Sequence, residues 1–274
     1  MANAMFKNLN GRKLVLGLVH LLPLPGTPLY QEGNLEKMTR KAIDDCLTLQ
    51  RAGADGGLIQ SVDIYYPATD DTDYARVAAI SIIASRVREA VGPDFRLGVQ
   101  LMWNCITPSL AVCKASGADF TRCTALVAST DSPYGRIEAN PLKVAEYRGK
   151  ICAGNVSLVS EVAGYHVQGA YDAGRVRALA SAAMRLGADA VEVMDADPDR
   201  NERLILDVKQ AGDYPVILGG GTTIENCRQR LRYADGAFVG SAIEGGAWGG
   251  SIVEPLAAEY VRRVRALEEE LARA

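Results

Sequence analysis

Two glycine-containing segments near the end of the chain have the composition of an anion-binding loop. They are Gly219-Gly220-Gly221-Thr222-Thr223 and Val239-Gly240-Ser241-Ala242, and each includes or directly follows an apolar run. Glycine allows backbone amides to approach an anion closely, and amides at a helix start carry partial positive charge. The pattern predicts a phosphate or similar anion at Gly220, Gly221, Gly240 and Ser241. The alternative is that these glycines serve only tight turns.

Several carboxylates follow two other apolar runs and form a second chemical group. They are Glu161, Glu192, Asp195 and Asp197. Carboxylate oxygens suit a hard divalent cation, which makes magnesium the candidate cofactor and Glu161, Glu192 and Asp195 its candidate ligands. A carboxylate pair can instead transfer protons, because its like charges raise one pKa towards neutrality. We therefore expect catalytic roles for Glu161 and Asp195, whereas Asp197 before Pro198 fits a helix cap.

The two histidines and a few other polar residues also follow apolar runs. His20 precedes the proline-rich loop Leu22–Gly26 and is predicted either to polarise a substrate as a catalytic residue or to support that loop. Arg122 is a candidate anion ligand, because its guanidinium can hold a carboxylate or phosphate by two hydrogen bonds. The predicted substrate-binding side chains are Asn104, Arg122, Glu138 and His166.

Composition excludes several classes of protein. The 274 residues include 33 acidic and 30 basic side chains, so there is no basic excess of the kind that nucleic-acid binders use. None of the 6 cysteines has the C-x-x-C spacing of zinc or redox sites, which indicates reduced thiols and a cytoplasmic protein. The apolar run Leu14–Leu24 is shorter than the roughly 18 residues that a membrane span needs. We expect no transmembrane segment.

Short apolar runs alternate with longer segments of helical periodicity, which is typical of βα units around a parallel sheet. The predicted strands are Leu14–Val19, Gly57–Gln60, Arg96–Leu101, Phe120–Cys123, Ala153–Val159, Ala190–Val193, Pro215–Leu218 and Ala237–Val239. The predicted helices are Leu35–Arg51, Tyr74–Ala90, Pro108–Ser116, Pro141–Tyr147, Asp172–Leu186, Pro198–Ala211, Ile224–Arg232 and Ile252–Ala272. The pattern predicts a single (β/α)8 TIM barrel over residues 1–274, with residues 1–12 as a lead-in for which partial disorder is one expectation.

In such a barrel the carboxyl ends of the strands form the functional face, and loops after strands seven and eight often bind phosphate. The two glycine segments occupy those positions. The repeated tripeptide Gly-Ala-Asp lies at the other face, because it precedes its strands at Asp55, Asp119 and Asp189, with Tyr-Ala-Asp at Asp235. We expect these aspartates to stabilise the barrel.

The segment Gly17–Pro28, with the sequence GLVHLLPLPGTP, resembles the N-terminal signature of the BtpA/SgcQ family. The resemblance extends through Arg122 and Gly135–Glu138 to the GGGTTIEN and ADGAFVGSAI segments. It implies a TIM-barrel-like fold and, from the role that gave the family its name, a part in photosystem I biogenesis. The chain departs from the family pattern at Gln60-Ser61, where a Glu-Asn pair is usual, and at Glu161, where aspartate is usual.

These observations favour a cytoplasmic enzyme that acts on a small phosphorylated, sugar-like metabolite as an isomerase, lyase or hydrolase. One alternative is a noncatalytic biogenesis or stability factor for a membrane protein complex. Another is a nucleosidase-like hydrolase that uses the carboxylates with a bound cation. We expect a homo-oligomer without a nucleic-acid partner.

Overall fold

The computed structural model describes residues 5–62, 68–167, 169–245 and 249–273. The strands are β1 (Leu14–Leu21), β2 (Gly56–Ser61), β3 (Arg96–Gln100), β4 (Phe120–Cys123), β5 (Thr130–Ser132), β6 (Gly135–Ile137), β7 (Ser157–Ala163), β8 (Ala190–Val193), β9 (Val216–Leu218) and β10 (Gly236–Val239). The helices are α1 (Asn34–Arg51), α2 (Tyr74–Val91), α3 (Ile106–Ser116), α4 (Pro141–Lys150), α5 (Ala173–Arg185), α6 (Pro198–Ala211), α7 (Cys227–Arg230) and α8 (Glu254–Arg273).

Eight of these strands close into a parallel barrel in the order β1-β10-β9-β8-β7-β4-β3-β2. The predicted TIM barrel is therefore confirmed, with β9 and β10 as its seventh and eighth strands. The strands β5 and β6 form a separate antiparallel hairpin after β4, which the sequence analysis missed. No helix within the described ranges is both long and apolar enough to cross a membrane.

The apolar side chains form two cores, because successive residues of a strand point to opposite faces. Val15 and Val19 pack outward in the larger core between strands and helices, whereas Leu16 and Leu18 lie in the barrel interior. Phe6 of the lead-in joins the interior core, with its ring edge against Phe120 at 6.1 Å between centroids. The lead-in thus packs into the barrel at residues 5–6, and its residues 1–4 lie outside the described ranges.

The repeated aspartates join neighbouring strands at the amino-terminal end of the barrel. Asp55 Oδ2 accepts a hydrogen bond from the Val15 amide at 2.8 Å, and the Asp55 amide donates to the Val15 carbonyl at 2.9 Å. Asp119, Asp189 and Asp235 bind Leu97, Leu158 and Val216 in the same two ways. The cations beside these carboxylates are Arg12 and Arg265 for Asp55, Arg88 for Asp119, Arg148 for Asp189 and Lys209 for Asp235. Their predicted structural role is confirmed.

The fifth barrel strand differs most from its prediction. It was expected over Ala153–Val159, but β7 covers Ser157–Ala163. The residues before it form turns in which Cys152 has a positive φ of 53°. The second half of the strand was missed because Ser160 and Glu161 interrupt its apolar run. Glu161 consequently lies inside β7, not in the loop after it.

We expect Asp55→Asn to lower the free energy of unfolding by about 1.5–3 kcal/mol, because hydrogen bonds to a charged group are lost and two arginines lose a carboxylate. Urea unfolding measures this change. Asp131→Asn is the matched control, since the Asp131 side chain is 82% exposed on the hairpin and should matter by less than about 0.5 kcal/mol. Equal stability of the Asp55→Asn variant and the unmodified chain would contradict the structural role.

Candidate functional site

Polar residues form one layer at the carboxyl ends of the barrel strands. Along β1, Leu14, Leu16 and Leu18 fill the interior, and the same alternation turns His20 inward. His20 is in register with Gln60 on β2, which is in register with Gln100 on β3. The interior residues at this level, here called the mouth layer, are His20, Gln60, Gln100, Arg122, Glu161, Glu192, Gly219 and Gly240.

A cavity of about 550 Å³ opens above the mouth layer. His20, Gln60 and Arg122 line it from the layer itself, and His166 lines it from the loop after β7. Both glycine segments contribute to its wall through Gly219–Thr223 and Gly240–Ser241. The structure therefore brings the two histidines and the predicted anion loops to one cavity.

Arg122 is buried between two glutamates. Its Nε donates to Glu192 Oε2 at 2.6 Å and its Nη2 donates to Glu192 Oε1. The same Nη2 lies 3.9 Å from Glu161 Oε2, and the guanidinium stacks over the Phe238 ring at 5.6 Å. Arg122 was predicted to bind a substrate anion, but in the structure its two-bonded partner is a carboxylate of the protein.

Glu161 holds the loop after β7 and its histidine. Glu161 Oε2 lies 2.6 Å from His166 Nδ1, and Glu161 Oε1 accepts hydrogen bonds from the amides of His166 and Val167 at 2.8 and 3.1 Å. The Trp103 ring packs edge-on against the imidazole at 4.6 Å between centroids. These contacts fix both the position and the orientation of the His166 ring.

The two neighbouring glutamates have pKa values shifted in opposite directions. Burial would raise the pKa of Glu161, but the charge and hydrogen bonds of His166 and the charge of Arg122 together lower that pKa below its usual value. Burial raises the pKa of Glu192, and the charge of Glu161 raises it further against the opposing effect of Arg122. Glu161 is therefore the carboxylate held ionised beside an imidazole.

His20 is held by a glutamate that the sequence analysis missed. Its Nδ1 lies 2.6 Å from Glu244 Oε1, and Glu244 is buried in the turn after β10. The second carboxylate oxygen, Glu244 Oε2, is buried without a hydrogen-bond partner among the described residues. Glu244 follows the second glycine segment by only two residues, so extending that segment along the loop would have found it.

The backbone at both glycine segments is open towards the cavity. The amides of Gly220, Gly221, Gly240 and Ser241 donate no hydrogen bond to any described residue. Gly221 has a φ of 71°, which favours glycine, and a Cβ at Gly219 would overlap Glu192 Oε1. The helix predicted over Ile224–Arg232 covers only Cys227–Arg230 in the structure, as α7. The open amides therefore belong to loops and not to the first turn of a helix.

A cation lies beside the first glycine segment. A Cβ built on Gly221 would be 3.5 Å from Arg230 Nη1. The two terminal nitrogens of Arg230 donate to the carbonyls of Asp195 and Ala196 at 2.7 and 2.5 Å. No described carboxylate forms an ion pair with Arg230, and its Nε is buried without a hydrogen-bond partner there.

Three predicted site residues lie elsewhere. Asp195 lines a separate cleft of about 270 Å³, and its carboxylate accepts from the Asp197 amide at 2.8 Å and from Arg200 Nε at 3.1 Å. Asn104 Oδ1 accepts from the Ala125 amide at 2.9 Å and so holds a loop. Glu138 is 66% exposed after the hairpin, where it pairs with Arg136. Asp197 caps α6 as predicted, accepting from the Arg200 amide.

The expected magnesium ligands do not come together. Glu161 and Glu192 share the Arg122 guanidinium, which takes the place a cation would occupy between them, while Asp195 lies in the other cleft. Over the described part of the chain, no group of three His, Cys, Asp or Glu side chains is arranged to hold a metal ion. The arrangement of Glu161, Glu192 and Asp195 therefore does not fit the predicted magnesium site.

Sequence relatives cover nearly all of the chain. An uncharacterized protein of Archaeoglobus fulgidus is 30% identical over 255 residues, which are 92% of this chain and 97% of the relative. The photosystem I biogenesis protein BtpA of Synechocystis is 27% identical, covering 88% of this chain and 83% of that protein.

Solved structures support the fold. Thiamine phosphate pyrophosphorylase from Pyrococcus furiosus superposes with a TM-score of 0.54 over 94% of this chain and 98% of that one, at 18% identity.

The BtpA family model matches residues 11–270. The chain therefore belongs to the BtpA family.

Proposed function

We propose that this chain is an enzyme that binds a small phosphorylated, sugar-like metabolite in the mouth-layer cavity and acts on it by proton transfer. One observation carries the proposal: open backbone amides and a glutamate-held imidazole line the same cavity. The amides suit a phosphate, and the imidazole suits the chemistry at the rest of the ligand. Isomerase, lyase and hydrolase reactions all use such a proton transfer.

The phosphate would lie against Gly220, Gly221, Gly240 and Ser241. Four amides at the ends of the seventh and eighth barrel strands can donate to it, with the charge of Arg230 behind Gly221. Glu192 lies directly below Gly219, and its ion pair with Arg122 reduces the electrostatic repulsion that its charge would exert on a bound anion. Thiamine phosphate pyrophosphorylase, whose name includes a phosphate compound, has a similar barrel.

Proton transfer falls to His166 with Glu161. An ionised carboxylate only accepts hydrogen bonds, so the imidazole nitrogen beside Glu161 carries a proton and the other nitrogen is left as the base. This pair replaces the predicted pair of Glu161 and Asp195, because Asp195 lies in another cleft. No step is assigned to a metal ion, since the predicted ligands do not assemble.

A second function is favoured by the Synechocystis relative, whose name assigns it to photosystem I biogenesis. A noncatalytic assembly factor would capture a protein partner stably and would not respond to small phosphates. The nucleosidase alternative loses its support, because it requires the carboxylates to hold a cation. The homo-oligomer and the cytoplasmic location remain predictions.

We expect inorganic phosphate and ribose 5-phosphate to raise the melting temperature, and Gly221→Ala to weaken the binding of both by at least about tenfold. The added methyl group strains a positive φ, so it disturbs the backbone that presents the open amides, and it would contact Arg230 Nη1, the cation beside them, at 3.5 Å. Calorimetric titration measures the affinity.

Gly92→Ala is the matched control, because Gly92 has a similar φ of 74°, has open space around it and ends α2 at the opposite face of the barrel. It should lose a similar stability, about 1 kcal/mol, without losing affinity. Equal phosphate affinity in both variants would remove the proposed anion site.

We expect the unmodified chain to exchange a carbon-bound hydrogen of an aldose or ketose phosphate for deuterium in D2O, and His166→Gln to slow that exchange at least about 100-fold. Proton NMR of the sugar phosphate measures the rate. Glu161→Gln should slow it too, with some loss of stability, because Arg122 loses one of its carboxylate neighbours.

Glu202→Gln removes the same charge from an exposed position on α6 and should leave the exchange unchanged. A chain that exchanges none of these compounds, binds no phosphate and captures a membrane-protein partner would favour the assembly-factor function instead.

A further inference from the structure

Gln60 lies in the mouth layer with one end of its amide group unbonded. The residue is on β2, is only 5% exposed and lines the mouth-layer cavity. Its Oε1 is buried and accepts no hydrogen bond from any described residue. A buried acceptor without a donor costs free energy, so in a folded protein it is normally completed by water or by a ligand.

The neighbours of Gln60 explain why its oxygen stays unbonded. Its Nε2 lies 2.8 Å from the Met102 sulfur, and because a thioether accepts but does not donate hydrogen bonds, the nitrogen is the end of the amide that faces it. On β3 the residue in register is Gln100, whose own Oε1 also lacks a partner among the described residues. The two amides therefore do not bond to each other. Within the described part of the chain, no side chain supplies the donor that Gln60 Oε1 lacks.

Gln60 and the two glycine segments line one cavity. In the closed barrel β2 neighbours β1, and β1 neighbours β10, so one strand separates Gln60 from the glycine segment after β10. The volume of about 550 Å³ is typical of a small-molecule site, and a phosphate at the glycine segments fills only part of it. Apolar side chains of Leu18, Met102 and Phe238 line the same cavity. Met102 is unbranched and can change rotamer to admit a ligand to the Gln60 oxygen.

We propose that Gln60 is a specificity-determining residue, and that its Oε1 accepts a hydrogen bond from a hydroxyl group of the phosphorylated ligand. The inference rests on the proposed function and narrows its substrate class to phosphates of polyhydroxylated compounds. An amide oxygen has no net charge, so it suits a neutral hydroxyl, whereas an ammonium group bonds more strongly to a carboxylate. A ligand without the hydroxyl group leaves the buried oxygen unbonded, and a site of this kind rejects such a ligand.

The binding of two phosphate monoesters tests this role. Ribose 5-phosphate has hydroxyl groups and n-butyl phosphate has an apolar chain in their place, while both present the same phosphate. We expect the unmodified chain to bind ribose 5-phosphate at least about tenfold more tightly than n-butyl phosphate in calorimetric titration. Gln60→Met nearly preserves the side-chain volume but removes the acceptor. It should reduce that ratio to below about threefold and change the affinity for n-butyl phosphate by less than about threefold.

Two further variants separate loss of the acceptor from general damage. Gln60→Glu keeps an oxygen acceptor and adds negative charge, so it should weaken the binding of both esters similarly and retain their ratio. Gln50→Met makes the same change as Gln60→Met at the end of α1, at the opposite face of the barrel, where Gln50 Nε2 donates to the Val91 carbonyl at 2.9 Å. It should alter neither affinity.

A spectroscopic measurement covers the case in which Gln60→Met does not fold. With 15N-labelled glutamine, the side-chain amide signal that Gln60→Glu removes belongs to Gln60. We expect ribose 5-phosphate to shift this signal in the unmodified chain and n-butyl phosphate to leave it in place, because only the first ester bonds to the amide oxygen.

The outcomes separate this inference from the proposed function. If both esters bind but their ratio is near one, or Gln60→Met leaves the ratio unchanged, the oxygen binds water only and the inference is overturned. If phosphoethanolamine binds more tightly than ribose 5-phosphate, the donor is an ammonium group and the assignment to a hydroxyl is wrong. If neither the esters nor inorganic phosphate bind, the proposed function itself is overturned.

Discussion

The burial of Arg122 between Glu161 and Glu192 is the interaction on which the mouth layer depends. The two glutamates are cross-strand partners in register on β7 and β8, and both are almost fully buried. Two adjacent carboxylates in such surroundings repel each other and lose their hydration. In the absence of a neighbouring cation, one of them would therefore be protonated. The guanidinium allows Glu161 to stay ionised, and an ionised Glu161 in turn fixes the tautomer of His166. Removing one member of this group should therefore affect residues that it does not contact.

The two ends of the barrel strands have different roles. Polar groups at the amino-terminal end bind neighbouring strands, whereas several polar groups at the carboxyl end have no partner among the described residues. At the amino-terminal end, four aspartates each bind the amide of a neighbouring strand and a surface cation, so their carboxylates are committed to structure. At the carboxyl end, the glycine segments leave amides without partners, and Glu244 and Gln60 each leave one buried oxygen without a partner among the described residues. Such incompletely bonded groups are costly in a folded protein, and they are typical of a surface that a ligand completes.

The sequence allowed the prediction of the barrel, its strand number and the face on which chemistry lies, because these follow from periodicity and from chain order. It did not allow the prediction of which side chains meet. Asp195 and Glu161 both lie near the carboxyl ends of barrel strands, yet Glu161 points inward by the alternation of β7 while Asp195 bonds to α6. Strands β5 and β6 have three residues each, which are too few to show the alternation of polar and apolar residues that predicts a strand. Glu244, which holds His20, is 224 residues away in the sequence. No local sequence pattern predicts that these two side chains meet.

Gln60 and Ser61 stand where the resemblance to the BtpA/SgcQ family implies a Glu-Asn pair, and the identity of residue 60 affects the charge of the cavity. The mouth layer and its loops already hold three buried glutamates, at 161, 192 and 244, against the buried guanidinium groups of Arg122 in the layer and Arg230 behind Gly221. A fourth carboxylate at position 60 would face the same cavity and oppose the binding of an anion across it. Glutamine keeps the oxygen acceptor without that charge, and Ser61 Oγ accepts from Arg76 Nη2 at 2.7 Å in the neighbouring strand layer. Gln60 therefore presents a neutral oxygen acceptor to the cavity, where a glutamate would add a further negative charge.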